Sequence, residues 1–182
     1  MSADKLREAI FNINTRRFGT VCEAIVSKIA KFGASKNQFH DLYCDATQRR
    51  IEVKFSRVQN RAEIAIRADT VIHAIFAELD ENRTIDFANW RAKEFDCNIQ
   101  QVKCAEFDLL YYGLFFWDRL TIFKIAPDQI KADPSIYYSD KQHKGNVGEG
   151  QFHVNNRSLQ HHLDNYLEHE LTYPELLEIL SS

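Results

Sequence analysis

Proline and glycine are scarce in this chain, three and six residues among 182. No segment is rich in Ser, Gly or Pro and no repeat is visible, so the sequence offers neither a flexible linker nor a low-complexity tail. Cysteine is also sparse. Cys22, Cys44, Cys97 and Cys104 form no CxxC pair, and each sits in or beside an apolar pattern where a reduced thiol acts as a small hydrophobe. That argues against a disulfide framework. No apolar run approaches the length of a membrane span, and the opening Met-Ser-Ala-Asp-Lys-Leu-Arg-Glu carries charges where a signal peptide needs an apolar stretch. The expectation is a soluble, cytoplasmic protein with no membrane partner. Positive charge is not in excess either: the formal net charge is -3, which weighs against wholesale binding of a phosphate backbone. Its distribution is uneven, however. Asp164, Glu168, Glu170, Glu175 and Glu178 crowd the end of the chain, whereas Arg16, Arg17, Lys28, Lys31, Lys36, Arg49, Arg50, Lys54 and Arg57 thicken the first third. A locally basic face is compatible with the acidic total.

What is present is core material. Hydrophobic residues make up 45% of the chain and aromatic residues 12%, enough for one core and hence a single domain over residues 1–182. Leu6, Ala9, Ile10 and Ile13 predict a helix over 3–14. Phe18, Val21, Cys22, Ile25, Ile29 and Phe32 predict a second, with Gly33 as its C-terminal cap. Residues 39–44 and 51–55 read as a β-hairpin across the polar turn 45–50. Residues 62–67 are expected to form a short strand with Ile64 and Ile66 buried, 70–79 a helix, and 86–95 a further helix. The apolar runs 102–105, 107–116 and 120–125 predict central strands covered on both faces. A polar loop over 141–150 and two helices, roughly 157–169 and 173–180, complete the chain, the last with Pro174 in its first turn. The fold class is α/β: a mixed sheet flanked by helices.

Chemistry concentrates in the hairpin. Alternation puts Glu52 and Lys54 on one strand face and Val53 on the other. Pairing across the turn brings Asp41 beside Glu52, so that two carboxylates and one ammonium converge. Hard oxygen ligands suit magnesium, which takes one or two protein carboxylates and keeps several waters. Glu-x-Lys alone is common on exposed strands, where it is a simple ion pair. Here Ile51 and Phe55 flank it, which places the charges inside the fold, where unpaired charge is costly and tends to mark a site.

A helix bearing Glu23, then Asp41, a turn, and Glu52-Val53-Lys54 resembles the PD-(D/E)xK nuclease superfamily, and within it the type II restriction endonucleases. The matching segment runs roughly from Phe18 to Arg57, and His40 stands where the motif has proline. The resemblance implies a restriction-endonuclease-like core and a divalent cation, Mg2+ with Mn2+ as a substitute, held by Asp41, Glu52 and the Val53 carbonyl. It also implies Lys54 assisting the attacking water and Glu23 in support. Asp45 is the rival to Asp41, although it opens the polar turn, where Asp is common for structural reasons. Glu23 lies beside the apolar stripe of its helix and reads equally as a solvated flank residue.

Gln151, His153, Asn155, Asn156 and Arg157 are rich in groups that read base edges, and with Arg57, Lys141 and Lys144 they form the candidate nucleic-acid contacts. Helix capping by Asn155 or Asn156 is the competing reading. His153, His161, His162 and His169 match no familiar zinc spacing. Tyr111, Tyr112, Phe115, Phe116 and Trp117 read as core rather than as a base-stacking platform. The function expected is sequence-specific, magnesium-dependent hydrolysis of double-stranded DNA. A repair or junction-resolving nuclease and a nicking subunit share that chemistry. A non-catalytic nucleic-acid-binding or interaction module is the reading of another class. Cutting both strands calls for a homodimer on a palindromic site or successive nicking by a monomer. A restriction enzyme would have a cognate methyltransferase as its companion.

Overall fold

The computed structural model describes residues 2–60, 64–78, 83–141 and 147–182. Two helices open the chain, α1 (Ala3–Asn12) and α2 (Thr15–Ala30), each with a polar N-cap. Ser2 accepts the Lys5 N–H and Asn14 that of Arg17. α2 ends at Lys31, which adopts the left-handed conformation at φ 57°. The cap expected at Gly33 is therefore corrected: Gly33 lies two residues further on, in the short strand β1 (Gly33–Ala34).

The hairpin follows as β2 (Leu42–Cys44) and β3 (Arg49–Arg57), paired antiparallel with Leu42 opposite Ile51. After α3 (Val71–Glu78), a 3-10 helix spans Phe87–Ala92, shorter and tighter than the helix expected over 86–95. Then come β4 (Asp96–Val102), β5 (Leu109–Phe115), β6 (Arg119–Ile125), α4 (Pro127–Ala132), β7 (Gly150–Asn155), α5 (Leu159–Tyr166), β8 (Leu167–Thr172) and α6 (Tyr173–Ser181). Six strands form one mixed sheet in the order β1-β2-β3-β5-β6-β8, in which β3 and β5 are the parallel pair. β4 and β7 make a separate antiparallel pair.

Alternation along the central strands divides the core in two. Ile51, Val53, Tyr111, Phe115, Leu120 and Ile122 face the helical layer, packing with Cys22, Ile25 and Val26 of α2 and Leu176 of α6. Leu110, Tyr112, Leu114, Phe123 and Ile125 face the other way, onto Ile99, Phe152, Val154 and Leu159. The aromatic run is thus core, as expected, with Tyr112, Phe115 and Phe116 fully buried. Tyr112 also holds the buried His162 through a 2.8 Å bond between its hydroxyl and Nδ1.

Several boundaries are corrected. Residues 64–67 form no strand, and Ile64 and Ile66 are exposed; the start of that expected strand, 61–63, lies outside the described residues. The strand expected at 102–105 ends at Val102 and belongs to the β4–β7 pair. The helix expected to 169 stops at Tyr166, where the chain becomes the edge strand β8. There it pairs antiparallel with β6, and across that pairing Glu168 meets Lys124 and Glu170 meets Arg119, both at 2.6 Å.

Candidate active site

β2 is short and β3 long, so beyond Ile51 one edge of β3 runs free of its hairpin partner. Asp41 fills that gap. Its main-chain N–H donates to the Ile51 carbonyl at 3.1 Å, and its carboxylate Oδ2 accepts the Val53 N–H at 2.9 Å. These two bonds straddle Glu52, so Asp41 lies beside it. The N–H and C=O of one strand residue point to the same edge, hence the Val53 carbonyl also faces the open side where Asp41 sits.

Glu52 pairs with Leu110 and Lys54 with Tyr112 across the parallel ladder, which puts both side chains on the face opposite α2. Lys54 Nζ lies 2.5 Å from Glu52 Oε1 and 3.9 Å from Asp41 Oδ2, so one ammonium bridges two carboxylates. Glu52 is only 8% exposed. Burial pushes its carboxyl up to about 7; the Asp41 charge and, more weakly, Glu106 add to the rise, and Lys54 opposes it. Glu23, half-buried on α2, belongs to the same field. Burial raises its carboxyl, Asp41 raises it further and Lys54 lowers it.

Carboxylate oxygens are the donors a hard divalent cation takes. Asp41 and Glu52 are the two carboxylates that Lys54 bridges, and magnesium typically takes one or two protein carboxylates. Among the described residues no group of three or more His, Cys, Asp and Glu is gathered so that it could hold a metal ion.

The structure also separates the candidates. Asp45 lies beyond the end of β2, with its carboxylate near Gly33, and does not join Glu52. Arg57 points away from solvent: its guanidinium donates to the Ile10 carbonyl at 2.9 Å and the Ile13 carbonyl at 2.5 Å, and lies 4.1 Å from the centre of the Phe18 ring. In this structure the Arg57 guanidinium ties β3 to the end of α1.

Gln151, His153 and Asn155 occupy alternate positions of β7. Gln151 accepts from Asn98 at 3.2 Å, and His153 pairs with Asp96 at 2.9 Å. Asn155 accepts the N–H groups of Arg157 and Ser158 and so closes the turn into α5; the N-cap position itself belongs to Ser158. Asn156 and Arg157 line a small depression with Glu94 and Asp96. Lys141 is exposed, while Lys144 lies outside the described residues. Sequence reasoning missed Glu106. It sits in the turn between β4 and β5, 3.8 Å from Lys103, and reaches the field of Glu52 only through the tertiary fold.

No family model, curated protein or solved structure matches the chain.

Proposed function

We propose that the protein is a magnesium-dependent endodeoxyribonuclease of restriction-endonuclease type, cutting double-stranded DNA at a specific sequence. The observation that carries the reading is the bracing of Asp41 against Val53, beside a buried Glu52 that shares one ammonium with it. A restriction-endonuclease-like core is the fold that goes with it, supported by a hairpin whose long strand pairs in parallel with β5 under α2.

Asp41, Glu52 and the Val53 carbonyl would hold the cation, Mg2+ or Mn2+. When bound, it supplies charge to offset the scissile phosphate and acidifies a water. Lys54 then orients the attacking water by hydrogen bonding and stabilises charge developing on the phosphate oxygens. Glu23 tempers Lys54 from the helical side. Contacts from Lys141, Gln151, His153, Asn156 and Arg157 to the duplex, and a homodimer for double-strand cleavage, belong to the same proposal. The Lys54–Glu52 pair also favours a second reading, a non-catalytic nucleic-acid-binding module with a structural ion pair.

The two separate on one assay. Phage DNA incubated with the protein and Mg2+ gives discrete fragments under the nuclease reading, and none with EDTA. Intact DNA with Mg2+ and with Mn2+ rejects it in favour of the module, and smearing rejects sequence specificity alone.

A further inference from the structure

α3 turns its apolar side chains to solvent. Ile72 is 65% exposed, Ile75 53% and Phe76 69%, with Val71 exposed beside them. From Val71 to Phe76 only Ala74 is buried. Ile72, Ile75 and Phe76 stand three and four residues apart and so share one helix face. The segment before the helix adds to it. Thr70 Oγ1 donates to the Ala65 carbonyl at 2.5 Å and accepts the Arg67 N–H at 3.0 Å, which folds residues 65–67 against the head of α3. Ile64 and Ile66 flank Ala65, and both are exposed, Ile66 by 73%.

Single exposed apolar residues are ordinary, whereas a cluster of them marks a contact surface. The helix itself points the same way. Eight residues make a helix that is marginal in water on its own, and burial of one alanine adds little to it. Its stability calls for a partner.

The chemistry of the face says which partner. Val71–Phe76 contains no Asp, Glu, Lys or Arg. A phosphate backbone rewards cations, and a helix lying on a bilayer surface carries Lys or Arg on its polar side; α3 has neither residue. An uncharged face meets its own copy without repulsion. The charges just before it, Arg67 and Asp69, are opposite in sign, so a two-fold rotation can set one against the other. The size also fits. At roughly 150–250 Å² for a large apolar side chain, the exposed parts of Ile64, Ile66, Val71, Ile72, Ile75 and Phe76 come to about 600 Å² on each copy. Two copies would then bury about 1,200 Å², the lower end of the range for stable, specific interfaces.

We infer that the face formed by α3 and residues 64–66 is where a second copy of this chain docks, helix against helix about a two-fold axis. The contact stands on its own exposure and does not rest on the nuclease reading; it gives the homodimer of that reading its surface.

The test is sedimentation equilibrium of the full chain, without DNA or cation, from low to high micromolar concentration. The wild-type mass should rise toward twice that of the chain. Ile72→Glu and Phe76→Glu should each raise the dissociation constant about a hundredfold, because a substitution at a two-fold contact counts twice. Lys5→Glu, at an exposed position of α1, should leave it unchanged. Circular dichroism checks the fold, and should either glutamate variant fail to fold, the double variant Ile72→Ala, Phe76→Ala must weaken the dimer in its place. A wild type that stays monomeric throughout, or a dimer that the folded variants keep at full strength, overturns the inference. So does a monomer that sediments with phosphatidylcholine vesicles, which would make the face a lipid contact. A dimer without DNA cleavage sinks the nuclease reading alone, and cleavage by a protein monomeric at every concentration sinks this surface alone.

Discussion

The carboxylate of Asp41 accepts the main-chain N–H of Val53 at 2.9 Å. This bond ties a residue before the hairpin to the middle residue of Glu52-Val53-Lys54 and sets both carboxylates at one strand edge. It also leaves Asp41 with free lone pairs for a cation, since a carboxylate has about four acceptor positions.

Cation binding should therefore follow the titration of Glu52. Its carboxyl titrates near 7 through burial first and the Asp41 charge second, and only the ionised form is a ligand. Mg2+ affinity, measured by calorimetry, should fall as pH drops below about 7, approaching tenfold per unit for one competing proton, with proton release on binding. A pH-independent affinity between 5.5 and 8 would contradict this.

The same shift fixes a sign for stability in metal-free solution. The folded pKa lies above the unfolded one, so the contribution of Glu52 is fully present below pH 4.5 and is lost as pH rises through about 7. Glu52→Gln should flatten that part of the curve of unfolding free energy against pH, and Mg2+ should restore wild-type stability at pH 8. Parallel curves for wild type and variant would refute the assignment.

Arg57→Ala tests the brace. Removing the guanidinium strips the Ile10 and Ile13 carbonyls of their donor and takes a cation from the Phe18 ring, which should cost about 2–3 kcal/mol. Because Arg57 faces α1, the salt dependence of DNA binding should not change, whereas a lost phosphate contact lowers the slope by about one. Denaturant titration and binding at several salt concentrations read the two effects separately.

Gly113 is required by a neighbour. It pairs with Phe55 across the parallel ladder, and a Cβ there would stand 2.1 Å from the Phe55 ring. Gly113→Ala should destabilise by about 1–3 kcal/mol through overpacking and displace the residue next to Lys54. An unchanged melting temperature would show that the ring moves freely.

The shared face of Glu52 and Lys54 was legible because period-two alternation is a local property, whereas the place of Asp41 beside them depends on how the segment before β2 pairs with β3. The central strands were legible for the same reason, their apolar runs marking two covered faces. β8 was not. Leu163, Leu167 and Leu171 recur at helical spacing, and it is pairing with β6, far away in sequence, that makes 167–172 a strand. Nothing local shows that the Arg57 guanidinium ends on the carbonyls of Ile10 and Ile13. The place of Glu106 depends on how turns from distant segments meet. Ile64 and Ile66 alternate like a half-buried strand, yet they remain exposed, and among the described residues no strand pairs with them.

The central claim is that Asp41, Glu52 and Lys54 act together on a phosphodiester. Its most direct test is the single-turnover rate of phage DNA cleavage in Mg2+ for the wild type, Asp41→Ala and Lys54→Ala, with folding checked by circular dichroism. Wild-type cleavage that stops in EDTA, with both variants slowed by about 10²–10⁴-fold, is the predicted result. Cleavage by either folded variant at the wild-type rate, or none by the wild type, would contradict it.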